Sequence, residues 1–232
     1  MIVNGVDVRE YGAKLLTVEE QPPKISVQKE MIQRALLPTE YETDIPLGSL
    51  KLTIYFRARN RAELQRTVSR FMMQFRQSAV LEEIRGYKGK YKSYLTDDSL
   101  TKTLNLSKKI LELSIDGYFF DDDLEITFDG KTSGQIFVES SKDAPCIIAI
   151  TAKQQLTDYV ITLNGEAYTV ETLAAGKTLI IDGRSGTATI DGKNAFDQVS
   201  FWQFPRLAAG ENDLTFSSGS AKVMLTYTPM WM

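Results

Sequence analysis

The second half of the sequence is a run of short segments rich in β-branched and aromatic residues, and it restricts the fold more than any other feature. Turn signals such as Asn164-Gly165 and Asp191-Gly192 separate the segments, and no stretch with helical periodicity lies between them. Many short strands at this spacing are typical of a β-sandwich. We therefore predict a galectin-like jelly roll, with strands at residues 124–128, 135–139, 145–152, 158–163, 166–171, 177–181, 186–190, 197–204, 213–217 and 221–228.

The C-terminus continues this pattern to its last residues. The aromatic segment at 197–204 ends at Pro205, and a turn then leads to alternating apolar residues at 223–227, with Trp231 next to last. A chain end of this kind is tied into a sheet rather than frayed. We expect the last strand to close the core of the sandwich.

The first half combines strands with one helix. Residues 50–56 alternate apolar and polar side chains, as in a strand with one buried face. Asn60 can cap a helix that follows, and Glu63 stands at the capping-box position. An apolar stripe at helical spacing comprises Leu64, Val68, Phe71, Met72 and Phe75. The fold class predicted for the whole chain is α+β or mainly β, with a β-sandwich-like N-terminal domain that contains one helix.

Two segments of the first half flank this core. Residues 1–8 predict a strand, a turn at Asn4-Gly5 and a second strand. Residues 20–48 contain prolines at 22, 23, 38 and 46 and show no sustained period. We interpret residues 20–48 as a long excursion outside the core.

The acidic triplet Asp121-Asp122-Asp123 marks an abrupt change of composition. It predicts a domain boundary, with a first domain at 1–120 and a second at 121–232. Three carboxylates could also bind calcium. However, calcium loops space their ligands and include a glycine for the turn, so a solvated interdomain hinge is the favoured interpretation.

Composition excludes several classes of enzyme. The sequence has no histidine and a single cysteine, Cys146, which removes Ser-His-Asp and Cys-His catalysis, histidine-bound zinc and any intrachain disulfide. Cys146 precedes an apolar run and is predicted to be a buried, inert thiol. We expect no cofactor and no metal.

Charge and hydropathy indicate no membrane or nucleic-acid partner. The net charge is −3 and the pI about 5.2, and no apolar run approaches the length of a membrane span. The N-terminus also lacks the features of a secretory signal. Lys88, Lys90 and Lys92 would share one face of a strand, but three phosphate contacts bind weakly in physiological salt. Lysines that protect an exposed strand edge are the favoured interpretation.

Aromatic residues near the C-terminus allow a sugar-binding alternative. Phe201, Trp202, Phe204, Tyr227 and Trp231 could stack on a sugar, with Trp202 the candidate contact. Aromatic side chains in strands are more often buried in the core, and this interpretation is favoured.

Carboxylates allow a second alternative, an enzyme that hydrolyses wall polymers. The acidic pairs are Glu82-Glu83 and Asp97-Asp98, with Glu125, Asp129 and Asp213 scattered elsewhere. A glycosidase needs two carboxyl groups that face each other across a cleft. Adjacent residues in a strand point in opposite directions, so we interpret these acids as surface residues.

Three stretches together resemble the distal tail protein (Dit) of long, flexible-tailed bacteriophages. Residues 3–6 and 11–12 are similar to the opening strand and turn of that family, and residues 110–120 to the strand that ends its first domain. Residues 204–231 resemble the close of its second domain. The matching positions are Asn4, Gly5, Gly12, Tyr118, Phe119, Pro205, Leu207, Gly210, Asn212, Tyr227 and Trp231.

This resemblance implies a structural virion protein, not an enzyme. It implies a homohexameric ring at the tail tip, built by the first domains around a lumen for DNA, with the jelly rolls as an outer platform. The implied partners are the major tail tube protein, the tail-associated hub or lysin protein and the tape measure protein, and assembly would begin in the host cytoplasm. Residues 20–48 match nothing in the family pattern, and they are expected to form an arm that reaches a neighbour. The second domain also lacks the large insertion that carries a carbohydrate-binding module in longer relatives.

Overall fold

The computed structural model describes residues 1–30, 39–44, 46–96 and 100–231. The chain divides into two compact units, Met1–Phe120 and Asp121–Trp231, and each has its own hydrophobic core. We call them the first and the second domain. The described residues are mainly β-strand with a single α-helix, so the predicted fold class is confirmed.

The first domain consists of strands around one helix. Its elements in chain order are β1 (Ile2–Val3), β2 (Val6–Asp7), β3 (Ala13–Gln21), β4 (Ser26–Glu30), β5 (Thr39–Asp44), β6 (Gly48–Arg57), helix α1 (Arg61–Met72), β7 (Ala79–Glu82), β8 (Lys90–Leu95), β9 (Leu100–Asn105) and β10 (Lys108–Phe120). The main sheet has the order β2-β1-β7-β8-β10-β6-β3, and β9 pairs with the N-terminal half of β10. Strands β4 and β5 form a separate two-stranded sheet.

Alternation along β6 and β10 creates the core of the first domain. The two strands pair antiparallel over ten residues of β10, with Leu52 opposite Leu113 and Ile54 opposite Leu111. These four side chains are buried, and the residues between them face the other side of the sheet. One apolar face therefore has to be covered, and α1 covers it.

Helix α1 begins at the predicted cap. Asn60 has an extended backbone, and its side chain accepts a hydrogen bond from the Glu63 amide at 2.9 Å. The Glu63 carboxylate reaches back to the amide of Arg59 at 3.0 Å, one residue earlier than in a standard capping box. Phe71 is buried on the inner side of the helix and contacts Phe56 and Tyr11 edge to face. The apolar stripe thus faces the sheet, as the helical period predicts.

The second domain is made of strands joined by tight turns. They are β11 (Leu124–Asp129), β12 (Ser133–Val138), β13 (Ala144–Ala152), β14 (Leu156–Leu163), β15 (Glu166–Leu173), β16 (Thr178–Asp182), β17 (Thr187–Ile190), β18 (Lys193–Asn194), β19 (Val199–Ser200), β20 (Arg206–Leu207), β21 (Gly210–Phe216), β22 (Ala221–Tyr227) and β23 (Met230–Trp231). One sheet has the order β11-β22-β13-β16-β17-β18, and the other has the order β12-β21-β14-β15-β19. Neighbouring strands within each of these sheets are antiparallel.

The inner faces of the two sheets form one core. Ile148 and Leu225 come from the first sheet, Ile161 and Leu214 from the second, and all four belong to the same buried cluster. Residues on either side of them point outward, which produces the alternation that the sequence shows. The second domain is therefore a β-sandwich.

Two predicted strands differ from the structure. Residues 197–204 were expected to be one aromatic strand, but they comprise the end of a 3-10 turn, the short β19 and a bend before Pro205. The strand expected at 87–95 begins only at Lys90, so Lys88 lies before it. Strand β8 lies between β7 and β10 and is not an edge, so the lysines do not protect a free edge.

Candidate assembly surfaces

The hairpin of β4 and β5 projects from the main sheet of the first domain. The two strands pair only with each other among the described residues, and every residue of β4 is exposed. Ile25 and Val27 have 62% and 42% of their surface in solvent. An isolated two-stranded hairpin is marginally stable in water. Exposed apolar residues on such a hairpin are therefore suited to contact another chain.

The base of the hairpin is fixed to the first domain. The Tyr91 hydroxyl, itself buried, donates to the Gly48 carbonyl at 3.2 Å, at the point where the chain returns from the hairpin. On the outgoing side, the Tyr87 hydroxyl donates to the Glu20 carboxylate at 2.9 Å. Burial raises the pKa of both tyrosines, so both hydroxyls keep their protons. The hairpin thus emerges from a defined position.

Two strands of the main sheet have one unpaired side. Strand β3 pairs with β6 and with no other described strand. Strand β9 likewise pairs with β10 and with no other described strand. The run β9-β10-β6-β3 consequently ends in an open edge on each side. Open edges present unpaired amides and carbonyls to a further strand.

The face of this run opposite the core is polar. It presents Lys51 and Thr53 from β6, and Glu112 and Ser114 from β10, all of them half-buried. Lys51 and Glu112 lie 3.1 Å apart and form an ion pair across the two strands. The middle of this face therefore carries both signs of charge, and at the other end of the two strands Lys108 lies opposite Arg57.

The family-matching residues near the N-terminus hold turns in place. Asn4 and Gly5 both have positive φ, 49° and 79°, as the predicted two-residue turn requires. The Asn4 amide group donates to the Gln74 carbonyl and accepts from the Val80 amide, which ties the turn to the chain after α1. Gly12 has φ 57°, and a Cβ there would lie 2.6 Å from the Arg57 carbonyl oxygen.

Tyr118 and Phe119 lie at the end of β10. The Phe119 ring stacks on Tyr87 at 5.1 Å and meets Tyr91 edge to face at 4.7 Å. Tyr118 is half-buried and lies 6.2 Å from the Phe120 ring. Phe119 thus packs beside the two tyrosines that hold the base of the hairpin, whereas Tyr118 does not contact either ring.

Asn212 is a buried polar residue at the centre of a hydrogen-bond network. Its carboxamide oxygen accepts from the Ala208 amide and from Asn164, both at 2.7 Å. Its carboxamide nitrogen donates to the carbonyls of Ala208 and Gly210, at 2.9 and 3.0 Å. All four hydrogen-bonding positions of the side chain are used, so Asn212 fixes the turn between β20 and β21. Gly210 in this turn has φ 92°.

The remaining C-terminal matches are framework residues. Leu207 is fully buried, and the buried Pro205 accepts a hydrogen bond from the Cys146 amide at 3.0 Å. Tyr227 is buried and lies opposite both Leu124 and Cys146. Trp231 is half-buried in the short strand β23. None of these residues is placed to act as a chemical group on a substrate.

Trp202 does not lie in the core. Its side chain is 94% exposed, so the expectation that this aromatic would be buried is wrong. Beside it in the chain, Phe201 and Phe204 meet edge to face at 5.1 Å, and Phe196 lies about as close to both rings. Trp202 follows a short edge strand and lies in a bend, where no inner layer is available to cover it.

The geometry gives some of the charged candidate residues a structural role and shows no role for the others. All three residues of the acidic triplet are exposed, and Asp123 receives two hydrogen bonds from the Arg184 guanidinium at 2.9 and 3.0 Å. Asp123 is thus paired within the second domain rather than simply solvated. No group of histidine, cysteine, aspartate and glutamate in the described ranges could hold a metal ion. Asp97 and Asp98 lie outside the described residues.

Cys146 is buried at the centre of the sandwich. Burial raises the pKa of its thiol to about 12, so the thiol is protonated at physiological pH. Within the described part of the chain, no helix is both long and apolar enough to cross a membrane.

The sequence of residues 20–48 did not predict the hairpin. Strand β4 is exposed throughout, so no alternation between a buried and a solvated face marks it. Exposed Val27 beside Ile25 was the available signal, and it is weak.

Comparison with known proteins finds proteins that this chain resembles. Residues 139–231 match the family model of the siphovirus-type tail component, C-terminal domain. The Dit protein of phage SPP1, described as a paradigm of the hub adsorption apparatus in phages that infect Gram-positive bacteria, shares the fold with a TM-score of 0.74. The two sequences are 10% identical, and the match covers 100% of this chain and 98% of that one.

A second solved structure gives a weaker match. A chain in the baseplate of phage p2, in its activated conformation with Sr, is 10% identical with a TM-score of 0.50 and covers 96% of this chain and 92% of its own length. No curated protein sequence matches. The resemblance to distal tail proteins is nevertheless confirmed, because the second domain matches the siphovirus-type tail component model and the whole chain has the fold of the SPP1 Dit protein.

Proposed function

We propose that this chain is a structural protein of a phage tail tip, a hub that joins the tail tube to the baseplate. The observation that carries the proposal is the fold, which is shared with the SPP1 Dit protein over both domains. The family model over residues 139–231 supports the same assignment from sequence. The role is structural rather than catalytic, and the chain acts in the virion after synthesis in the host cytoplasm.

The hub is a homohexameric ring made by the first domains. Strand β3 offers an open edge on one side of the run β9-β10-β6-β3, and β9 offers a different edge on the other. Contacts between two different surfaces of neighbouring copies close into rings. Pairing of one edge with the other would remove both edges and continue the sheet around a lumen.

The polar face of the run fits a lumen through which DNA passes. Its charges are of both signs, and the charge of Lys51 is offset by its ion pair with Glu112. DNA affinity rises with the number of phosphates that basic residues neutralise. A face whose middle carries both signs of charge would therefore hold DNA less tightly than a continuous row of basic residues.

The hairpin of β4 and β5 reaches the neighbouring copy in the ring. Ile25 and Val27 would then be buried at a subunit contact, which removes apolar surface from water. The proposed partners beyond the ring are the major tail tube protein above it, the tail-associated hub or lysin protein below it, and the tape measure protein.

Native mass spectrometry of the full chain, alone and with the major tail tube protein, tests the hub. We expect a species of six copies in at least one of the two samples. A chain that stays monomeric alone and also forms no ring with the tail tube protein would refute the proposal.

A matched pair of variants tests the hairpin. Ile25→Asp with Val27→Asp should abolish the ring and leave the circular dichroism spectrum unchanged, since both residues are exposed in the single chain. Ile180→Asp in the second domain, a residue of similar exposure, is the control and should leave assembly intact. Loss of folding together with assembly in the hairpin variant would contradict a purely interfacial role.

One observation favours a second function, binding of host cell-wall polysaccharide. Trp202 presents almost its whole indole ring to solvent beside three phenylalanines, and exposed aromatic faces stack on sugar rings. Isothermal titration with purified wall polysaccharide tests it. Binding that disappears in Trp202→Ala and persists in Phe137→Ala, another exposed aromatic, would support the alternative. Equal binding by both variants, or none by the wild type, would refute it.

A further inference from the structure

Arginine is concentrated around helix α1 in a chain that is acidic as a whole. The net charge of the chain is −3. Residues 57–76 nevertheless contain a single acidic residue, Glu63, and a run of arginines at positions 57, 59, 61, 66, 70 and 76. This segment therefore differs in sign from the rest of the molecule.

The helix places two of these arginines on one solvent side. Arg66 and Arg70, four residues apart, are exposed, while Leu64 and Val68 on the opposite side are buried. Arg61 is also exposed, but it lies about half a turn around the helix axis from Arg70. The ion pairs among described residues do not include these arginines, and only Arg70 has a neighbour of note, the Tyr11 ring at 5.9 Å. Like charges four residues apart on a helix repel. The sequence thus maintains a repulsion that nothing in the described fold relieves.

The second domain contains a surface of the opposite sign. The strands β12, β14, β15, β19 and β21 contain no lysine or arginine, and all of their residues are described. Glu171, Glu211 and Asp213 are exposed on the outer face of this sheet. Neither Glu171 nor Glu211 takes part in an ion pair with a described residue, and Asp213 accepts only from the neutral Gln135 side chain.

Each surface also carries one exposed apolar side chain. Met73, directly after α1, is 59% exposed. Phe137 on β12 lies opposite Glu211 and is 66% exposed. An apolar residue surrounded by charges of one sign is a frequent arrangement in protein contacts, with the apolar residue at the centre and the charges at the rim.

We infer that the arginine face of α1 in one copy docks on the acidic sheet face of a second copy. The dimensions agree: twelve residues of helix are about 18 Å long, and five strands span roughly 19 Å across the sheet. This contact rests on the proposed function, because it links neighbouring copies of the hub.

The contact is electrostatic and of limited area. One helix face buries less surface than a standard interface, so the contact adds to the contacts of the ring rather than replacing them. Exposed charges are screened beyond about 10 Å in 0.1 M salt. Assembly should therefore weaken as salt concentration rises, and the two surfaces should select the orientation of the neighbour.

Charge-reversal variants of the full chain test the inference. The helix variant combines Arg66→Glu with Arg70→Glu, and the sheet variant combines Glu171→Lys with Glu211→Lys. Each variant alone places like charges against each other at the contact. We therefore expect its assembly, measured by analytical ultracentrifugation at low salt, to weaken by roughly tenfold. A 1:1 mixture should recover wild-type assembly, because every contact then joins opposite charges when the two variants alternate. Six copies allow this alternation around a closed ring.

A control pair, Arg85→Glu with Lys88→Glu, changes the same number of charges on an exposed turn and should assemble like the wild type. Unchanged assembly of both test variants would overturn the inference and leave the ring proposal standing. A mixture that does not recover would also overturn it, since only contact between copies allows one variant to repair the other. Wild-type chains that stay monomeric at low salt would also overturn the inference. The ring proposal would then depend on whether the chain forms a ring with the tail tube protein.

Nucleic acid is the competing occupant of the arginine face. The helix variant would then lose binding to double-stranded DNA in a filter-binding assay, and the sheet variant would bind like the wild type. This pattern, with no recovery of assembly in the mixture, would assign the surface to DNA and contradict the contact between copies.

Discussion

The two domains use the same element, an alternating β-strand, and bury it in different ways. In the second domain the apolar faces of two sheets meet each other, so the described strands complete a core from a single chain. In the first domain one helix covers one face of the main sheet. The hairpin of β4 and β5 forms a separate two-stranded sheet, and the edges of β3 and β9 are open. The sheets of the second domain also end in open edges, at β11, β18, β12 and β19, so the domains differ in how their cores are closed rather than in having edges. The single-helix cover and the exposed strand β4 of the first domain support the proposal that assembly depends mainly on that domain.

Separate cores predict separate unfolding. Leu52→Ala in the first domain and Ile148→Ala in the second each remove a fully buried side chain and should each cost about 2–5 kcal/mol. Differential scanning calorimetry of the full chain should show that each variant lowers one transition and leaves the other in place. A single transition that shifts equally in both variants would show that the domains unfold together, and the contrast between them would not extend to stability.

Much of this contrast could be predicted from sequence where one face of a strand is buried. Leu50 to Phe56 alternate because β6 has a core on one side only, and Asn60 with the stripe from Leu64 identifies the helix. The elements that were missed lack such a face. Residues 197–204 are rich in aromatics, but strand propensity reflects packing against neighbours, and Phe201 and Phe204 pack on each other in a bend.

The same reasoning applies to the candidate surfaces. Strand β4 of the hairpin has no buried side and leaves no period in the sequence. Trp202 could be named as a candidate, but its exposure could not be derived, because adjacent aromatic residues do not show which one faces solvent. The arginine run was visible in the sequence, and only the helix shows that Arg66 and Arg70 share an exposed side.

Asn212 tests how strongly the second domain depends on one polar network. Asn212→Ala leaves the Ala208 amide without its partner at a partly buried site and removes one of the two hydrogen bonds of the Asn164 side chain, which should cost about 1–3 kcal/mol in the free energy of unfolding. Urea unfolding of the second transition measures it. Asn194→Ala removes a single exposed hydrogen bond to the Phe196 amide and serves as the control, with a smaller cost. Equal costs for the two variants would contradict the role of Asn212.

Alkaline pH should act on the second domain through buried groups. Burial raises the pKa of Cys146 to about 12, well above the value near 8.5 of a free thiol. Below the unfolded pKa both states are protonated and the stability is fully present. Between about pH 9 and 12 only the unfolded thiol ionises, so stability falls by up to about 1.4 kcal/mol per pH unit.

Cys146→Ala removes this titration and should flatten the slope of stability against pH for the second domain in that range, at the expense of some packing at every pH. Tyr159 and Tyr168, whose pKa burial also raises to about 12, keep part of the slope in the variant. Urea unfolding at a series of pH values measures the slope. An unchanged slope, or rapid alkylation of native Cys146 by iodoacetamide at pH 8, would show that the sandwich is less closed than its core indicates.

Trp202 should give the smallest effect and the sharpest contrast within the second domain. Because the side chain is 94% exposed, Trp202→Ala should change the free energy of unfolding by less than about 0.5 kcal/mol. Phe201→Ala removes a half-buried ring from the aromatic cluster with Tyr168 and Phe204 and should cost clearly more. A large cost for Trp202→Ala would mean that the indole packs on the domain in solution, and it would remove the basis for a binding role. A negligible cost would agree with an indole that lies in solvent and would leave the proposed sugar-binding alternative to the titration with wall polysaccharide.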